Sequence, residues 1–150
     1  MPSVFTPDRE AELRTRVARL SPDAPAQFGT LNAPRMICHL IDAYRNALGE
    51  NPTRWKKGVL STPVMRWLIL YVIPFPKGKA QTARSFLATQ PADWAADVAR
   101  WNELLTRIVA MGKDPSPRWD LHPLFGPLST RDWGTLIYKH TDHHLRQFGV

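Results

Sequence analysis

One cysteine, Cys38, is all the thiol this 150-residue chain possesses. A single thiol builds no internal disulfide, which suits a reducing compartment. Apolar leader sequence is missing too: Met1 to Arg19 is polar and charged, so the expectation is a cytoplasmic protein without a secretory signal. No apolar run reaches the ~20 residues that a bilayer crossing needs. The longest candidate, Val64 to Ile73, is interrupted by Arg66 and bracketed by Pro63 and Pro74. It is expected to form a helix that is buried or sits at a subunit interface, and no membrane partner is expected.

Long basic runs are absent as well. The formal charge is +7, with Lys and Arg scattered through the chain, from Arg9, Arg14, Arg16 and Arg19 to Lys56, Lys57, Lys77 and Lys79. Such a surface keeps a protein solvated, or it attracts an anionic substrate or nucleic acid. With no helix-turn-helix, zinc-finger spacing or basic stripe, nucleic acid ranks last among possible partners. There is no internal repeat, no low-complexity tract and no convincing strand pair.

What remains is helical patterning around a well-supplied core: 43% of residues are hydrophobic and six are Trp. The length fits one domain, residues 1–150. Ser3 to Leu20 places Ala11, Leu13, Val17 and Leu20 at helical intervals. Asn32 reads as an N-cap with Pro34 in the first turn of a helix over Arg35 to Leu48, stopped by Gly49. Asp93 opens a third long helix, Trp94 to Met111, which Gly112 closes. Ser129 or Thr130 caps a fourth, Arg131 to Phe148. Between the second and third lies a long irregular stretch, Glu50 to Gln90, holding the short Val64 to Ile73 helix and Pro74-Phe-Pro-Lys-Gly78. The expected fold is therefore all-α, a four-helix bundle with a long crossover connection and a short extra helix. Trp55, Trp67, Trp94, Trp101, Trp119 and Trp133 are expected in core or subunit-interface packing, with Trp133 a possible wall of the pocket.

The last helix carries the chemistry. Trp133, Leu136, Ile137, His140, His144 and Gln147 follow a buried stripe, so two imidazoles stand where Leu is usual. Unpaired ring nitrogens in an apolar stripe are costly. A divalent ion satisfies them; so does a buried Asp or a backbone carbonyl. His39, on the second helix, joins His140 and His144 if those helices pack together. Three imidazoles with open positions make a site of the catalytic type, which lowers the pKa of bound water or thiol. Zinc or nickel, and also iron, suit imidazole better than manganese does.

Several neighbours have two readings. Asp42, one turn after His39, either orients a ligand imidazole or is a surface carboxylate. Gln147 hydrogen-bonds a water on the ion or caps the core. His143 points about 100° away from His144, so with Asp142 it faces outward or supports the site. His122, held extended by Pro123, either bonds a helix end or belongs to a lid over substrate. Cys38 is a buried small side chain.

A lone His on the second helix followed by His140-x-x-x-His144-x-x-Gln147 on the last, in a helical chain of this length, resembles the DinB/YfiT-like superfamily. His122-Pro-Leu-Phe-Gly126, Trp133 to His140 and the ending His143-His144-Leu-Arg-Gln147-Phe-Gly-Val150 are similar to an uncharacterised subfamily within it. The resemblance implies a four-helix bundle with a crossover, often a homodimer, holding a divalent metal on His39, His140 and His144. It also implies a small-molecule substrate and a low-molecular-weight thiol, since characterised relatives include thiol S-transferases and a maleylpyruvate isomerase in which the metal activates a thiolate. Here His144-Leu-Arg-Gln147 replaces the more usual His-Arg-x-Gln, and His143 duplicates the histidine. The expected function is that of a metal-dependent enzyme, S-transferase-like or hydrolytic. The alternative is a non-catalytic metal-binding or stress-related bundle protein. Arg35, Arg45 and Lys139 are candidate cations for the carboxylates of a thiol cofactor.

Overall fold

Asn32 accepts the Arg35 N–H at 2.9 Å and starts the central helix of the molecule. Gly49, with φ +77°, lets the chain leave it in a left-handed turn. The computed structural model describes residues 1–77 and 84–150, so Gly78 and Lys79 lie outside the described residues. Five α-helices run through these: α1 (Pro7–Ala18), α2 (Ala33–Ala47), α3 (Pro63–Tyr71), α4 (Trp94–Gly112) and α5 (Thr130–Gln147). Two short 3-10 turns, Val59–Ser61 and Arg84–Leu87, flank α3 in sequence. The described residues contain no strand; the one isolated β-bridge pairs His122 with Gly126.

Eleven of the fifteen α2 residues are buried, which makes α2 the hub. It lies against α4, α5 and the second 3-10 turn, while α1 and α3 pack on α5. Met36, Ile37, Leu40 and Ile41 of α2 meet Trp101, Leu105 and Ile108 of α4 in one hydrophobic core. A buried polar chain crosses it: the Tyr44 hydroxyl donates to Thr141 Oγ1 at 2.7 Å, and Thr141 donates to the Ile137 carbonyl at 2.8 Å. Each polar atom in that chain is thus partnered, as burial requires. On the outer side Arg14 ties α1 to α4 through Asn102 and Thr106, and Arg16 ties α1 to α5 through Asp142.

The first helix begins at Pro7, four residues later than its periodicity suggests. Ser3 to Thr6 instead form a strap on α5, where the Val4 N–H donates to the Gly134 carbonyl at 3.0 Å. The Phe5 ring fills the space left by two glycines: a Cβ on Gly112 would stand 2.3 Å from it, and one on Gly134 would stand 2.5 Å from it. Gly134→Val is therefore expected to lift the strap and lower stability by roughly 1–3 kcal/mol, measured as a denaturant midpoint shift.

Of the two expectations for the apolar segment after Pro63, burial in the chain's own core is the one that fails. It is helical, but only Leu70 is buried; Val64 and Trp67 are 73% and 57% exposed. Nine residues give too few turns for an apolar stripe to face the core while both ends stay joined to loops. Trp55 is likewise partly open, whereas Trp101 and Trp133 are in the core as expected. None of the helices in the described residues is long and apolar enough to cross a membrane.

Candidate metal centre

The capping box at Ser129 fixes where α5 begins, and packing on α1, α2 and α3 sets its rotation. The Ser129 hydroxyl accepts the Asp132 N–H, and the Asp132 carboxylate accepts the Ser129 N–H. That rotation turns Trp133, Leu136 and Ile137 inward and carries His140 and His144 toward α2, one turn apart. From α2, His39 meets both. Its ring centroid lies 4.9 Å from that of His140 and 4.8 Å from that of His144. One nitrogen from each ring can be chosen so that all three lie within 4.8 Å of one another. His39 is buried, while His140 and His144 stay partly open.

Hydrogen bonds fix the tautomers. His39 Nδ1–H donates to the Phe86 carbonyl at 2.9 Å, and His144 Nδ1–H donates to Gln147 Oε1 at 3.0 Å. Each ring therefore presents a bare Nε2, the arrangement of a metal-ligating imidazole anchored through its other nitrogen. His39 Nε2 faces His140 Nε2 at 2.9 Å. Two Zn–N bonds of ~2.0–2.1 Å at a tetrahedral angle would set two such nitrogens about 3.3 Å apart, so these donors fit one divalent ion with a small outward movement. The protonation states suit it also. Burial pushes all three imidazoles below their usual pKa, His144 to about 3. Mutual repulsion among His39, His140 and His144 adds to the effect on His140. All three rings are neutral at pH 7, and with His39 Nε2 bare it is His140 Nε2–H that donates across the 2.9 Å contact, a proton an ion would displace.

Around the ligands, Asp42 is fully buried, so it is no surface carboxylate; no hydrogen bond joins it to His39, on which it acts through its charge and through the loop it holds. It accepts the Thr89 N–H at 2.9 Å and the Thr89 hydroxyl at 2.6 Å, pinning the segment whose Phe86 carbonyl orients His39. Gln147 bonds His144 directly. Gln147→Ala is expected to weaken metal binding by about 10–100-fold with little change in the fold, read by competition with a chromophoric chelator.

His122 bonds its own loop rather than a helix end. Its Nδ1 accepts the Leu124 and Phe125 N–H groups, each at 3.2 Å, and its ring stacks on Phe125 with centroids 4.7 Å apart. Burial lowers its pKa to about 3, leaving the proton on Nε2. Trp133 lies edge-on to it at 5.8 Å, so Trp133 walls His122 rather than the three ligands. Cys38 is buried, and burial with Asp97 and Asp42 nearby raises its pKa to about 11, so it stays a thiol.

The mouth is aromatic and cationic. Phe75 stands 6.3 Å from His140 and 5.8 Å from His143, Phe28 is 5.4 Å from His143, and Lys77 Nζ lies 5.4 Å over the Phe28 ring. Of the cations expected to meet a cofactor, Lys139 is spent on the Ile69, Leu70 and Ile73 carbonyls at the end of α3. Arg35 bonds Gln90, and Arg45 faces Asp42 and Glu50. Lys77, Phe86 and Thr89 escaped the sequence reading. Phe86 acts through its backbone, which has no residue signature; the proximity of the other two is a product of loop folding.

A family model described as "Protein of unknown function (DUF1569)" matches residues 6–149. No curated protein and no solved structure matches the chain.

Proposed function

The chain belongs to the DUF1569 family, whose function is unknown, and on the site alone we propose that it is a metal-dependent enzyme acting on a small, anionic molecule through an activated thiol or water. The observation that carries this reading is the pair of anchored, deprotonated Nε2 atoms of His39 and His144 converging with His140. In this reading α1, α2, α4 and α5 form a four-helix bundle of the DinB/YfiT-like type, with residues 49–92 as its crossover.

Bound there, zinc or nickel supplies Lewis acidity that lowers the pKa of a coordinated thiol or water. The chain's own residues do the rest. Phe86 and Gln147 hold the ligand rings in register. Phe28 and Phe75 keep bulk water from the mouth, and Lys77 offers a positive charge to a carboxylate on the incoming molecule. With Cys38 held as a thiol, any thiolate comes from a low-molecular-weight cofactor.

Cobalt-loaded protein tests this. Adding a panel of small thiols is expected to produce sulfur-to-metal charge-transfer absorption with one of them, followed by thiol consumption once an electrophile is present. Loading without any spectral change or turnover, accompanied by a large thermal stabilisation, would assign the ion a structural role instead.

A further inference from the structure

Residues 51–92 contain seven Lys or Arg and no Asp or Glu, while the remaining 13 basic and 13 acidic residues of the chain cancel. The whole net charge of +7 thus resides in the stretch that carries α3. The same region holds the exposed apolar surface. Among the described residues ten large hydrophobic side chains are exposed; seven fall between Trp55 and Ile73, and Leu121 and Leu124 are two more. The two groups are joined. The Lys56 N–H donates to the Pro123 carbonyl at 3.0 Å, the Trp55 ring packs on Gly126, and Arg66 donates to the Pro127 carbonyl at 2.9 Å. Lys139 fastens the end of α3 to α5. The patch is therefore one surface fixed to the body of the protein.

We propose that this face docks the protein on the surface of an anionic lipid bilayer. Val64 and Trp67, one helical turn apart, with Val59 and Leu60 just before them, present an apolar ridge. Arg54, Lys56 and Lys57, which precede it in the chain, are exposed and pair with no carboxylate among the described residues. Apolar side chains seat in the acyl boundary, Trp prefers the interface, and Lys and Arg meet anionic headgroups. Exposed apolar side chains grouped in one patch mark an interaction surface. A second copy of the chain would bring Arg54, Lys56 and Lys57 against their own like charges. Nucleic acid would leave the ridge unburied. The short α3 excludes spanning but not lying on a membrane.

Vesicle co-sedimentation decides the matter, using phosphatidylcholine alone and phosphatidylcholine mixed with phosphatidylglycerol. Binding is expected only to the mixed vesicles, to weaken with salt, and to shift Trp emission to the blue. Lys56→Glu/Lys57→Glu is expected to lose more than about tenfold in affinity, each surface charge being worth about fivefold, and Val64→Ser/Trp67→Ser a comparable factor. Arg100→Glu/Lys113→Glu, the same charge change away from the patch, should bind as the parent does. Circular dichroism and metal content monitor folding in every variant. No binding to mixed vesicles, or an equal loss in the Arg100/Lys113 control, overturns the proposal. So does a solution dimer that Val64→Ser/Trp67→Ser dissociates, or preferential binding of an RNA oligonucleotide.

Discussion

Replacing His140 and His144 together with alanine is expected to remove the divalent ion entirely, from near one per chain to none by elemental analysis of untagged protein. Both residues project from α5 toward His39, and their loss leaves a single imidazole. Loss of an outer hydrogen bond costs ~10–100-fold in affinity, so losing two of three donors should exceed that by orders of magnitude. The rings are neutral at pH 7, so the substitutions relieve no charge repulsion there, and the apo variant loses stability through the cavity it gains and the lost His39–His140 hydrogen bond. Thermal denaturation with and without zinc separates the effects: metal raises the parent's midpoint and leaves the variant's unchanged. Metal retained at full stoichiometry in the double variant would refute the three-histidine assignment.

Acidification is expected to have the second large effect, even before any metal is considered. Burial holds His122 and His144 near pKa 3 in the folded protein, against about 6.5 in the unfolded chain. Below pH 6.5 the unfolded state therefore binds more protons, so stability is complete above that pH and falls as pH drops toward 3. Each group contributes a slope of roughly 1.4 kcal/mol per pH unit across that window. Between pH 6.5 and 5 the two together remove about 4 kcal/mol, a large part of an ordinary domain's ~5–15 kcal/mol. Urea midpoints of the metal-free protein at pH 7.5 and 5 measure it. His122→Asn isolates one contribution, because an amide oxygen can accept the Leu124 and Phe125 N–H groups without titrating. Its pH slope should be shallower by about 1.4 kcal/mol per unit, although the lost stacking on Phe125 lowers its stability at every pH. A flat profile in the parent would show that these imidazoles are not held neutral by burial.

Several features were legible residue by residue. Asn32, Pro34 and Gly49 bounded α2, and Asp93 and Ser129 capped α4 and α5 as their types and positions foretold. Capping is a local competition for backbone N–H groups, so the deciding partners lie within three residues. The i, i+4 spacing of His140 and His144 was likewise enough to put both rings on one face. By contrast, of the two readings of the Val64 to Ile73 segment, a helix buried in the chain's own core fails, because composition reports that a residue is apolar without reporting what covers it. Of the two roles open to Asp42 the surface one fails, and its support of His39 runs through a loop instead of a direct bond. Its carboxylate holds Thr89, 47 residues away, and no local pattern encodes such a distant bond.

By itself, then, the sequence determined the helical composition, the ends of the long helices and the identity of three histidines able to share an ion. Periodicity and capping act over one turn of chain, and one turn is what a linear pattern records. Tertiary structure alone decided that His39 reaches the other two, that a backbone carbonyl and Gln147 set the tautomers of His39 and His144, that Lys77 rather than Lys139 stands at the mouth, and that the exposed residues around Trp55 and α3 are tied to the loop of Leu121 and Leu124. Those outcomes depend on which surfaces the packed core leaves over and on contacts between residues far apart in the chain.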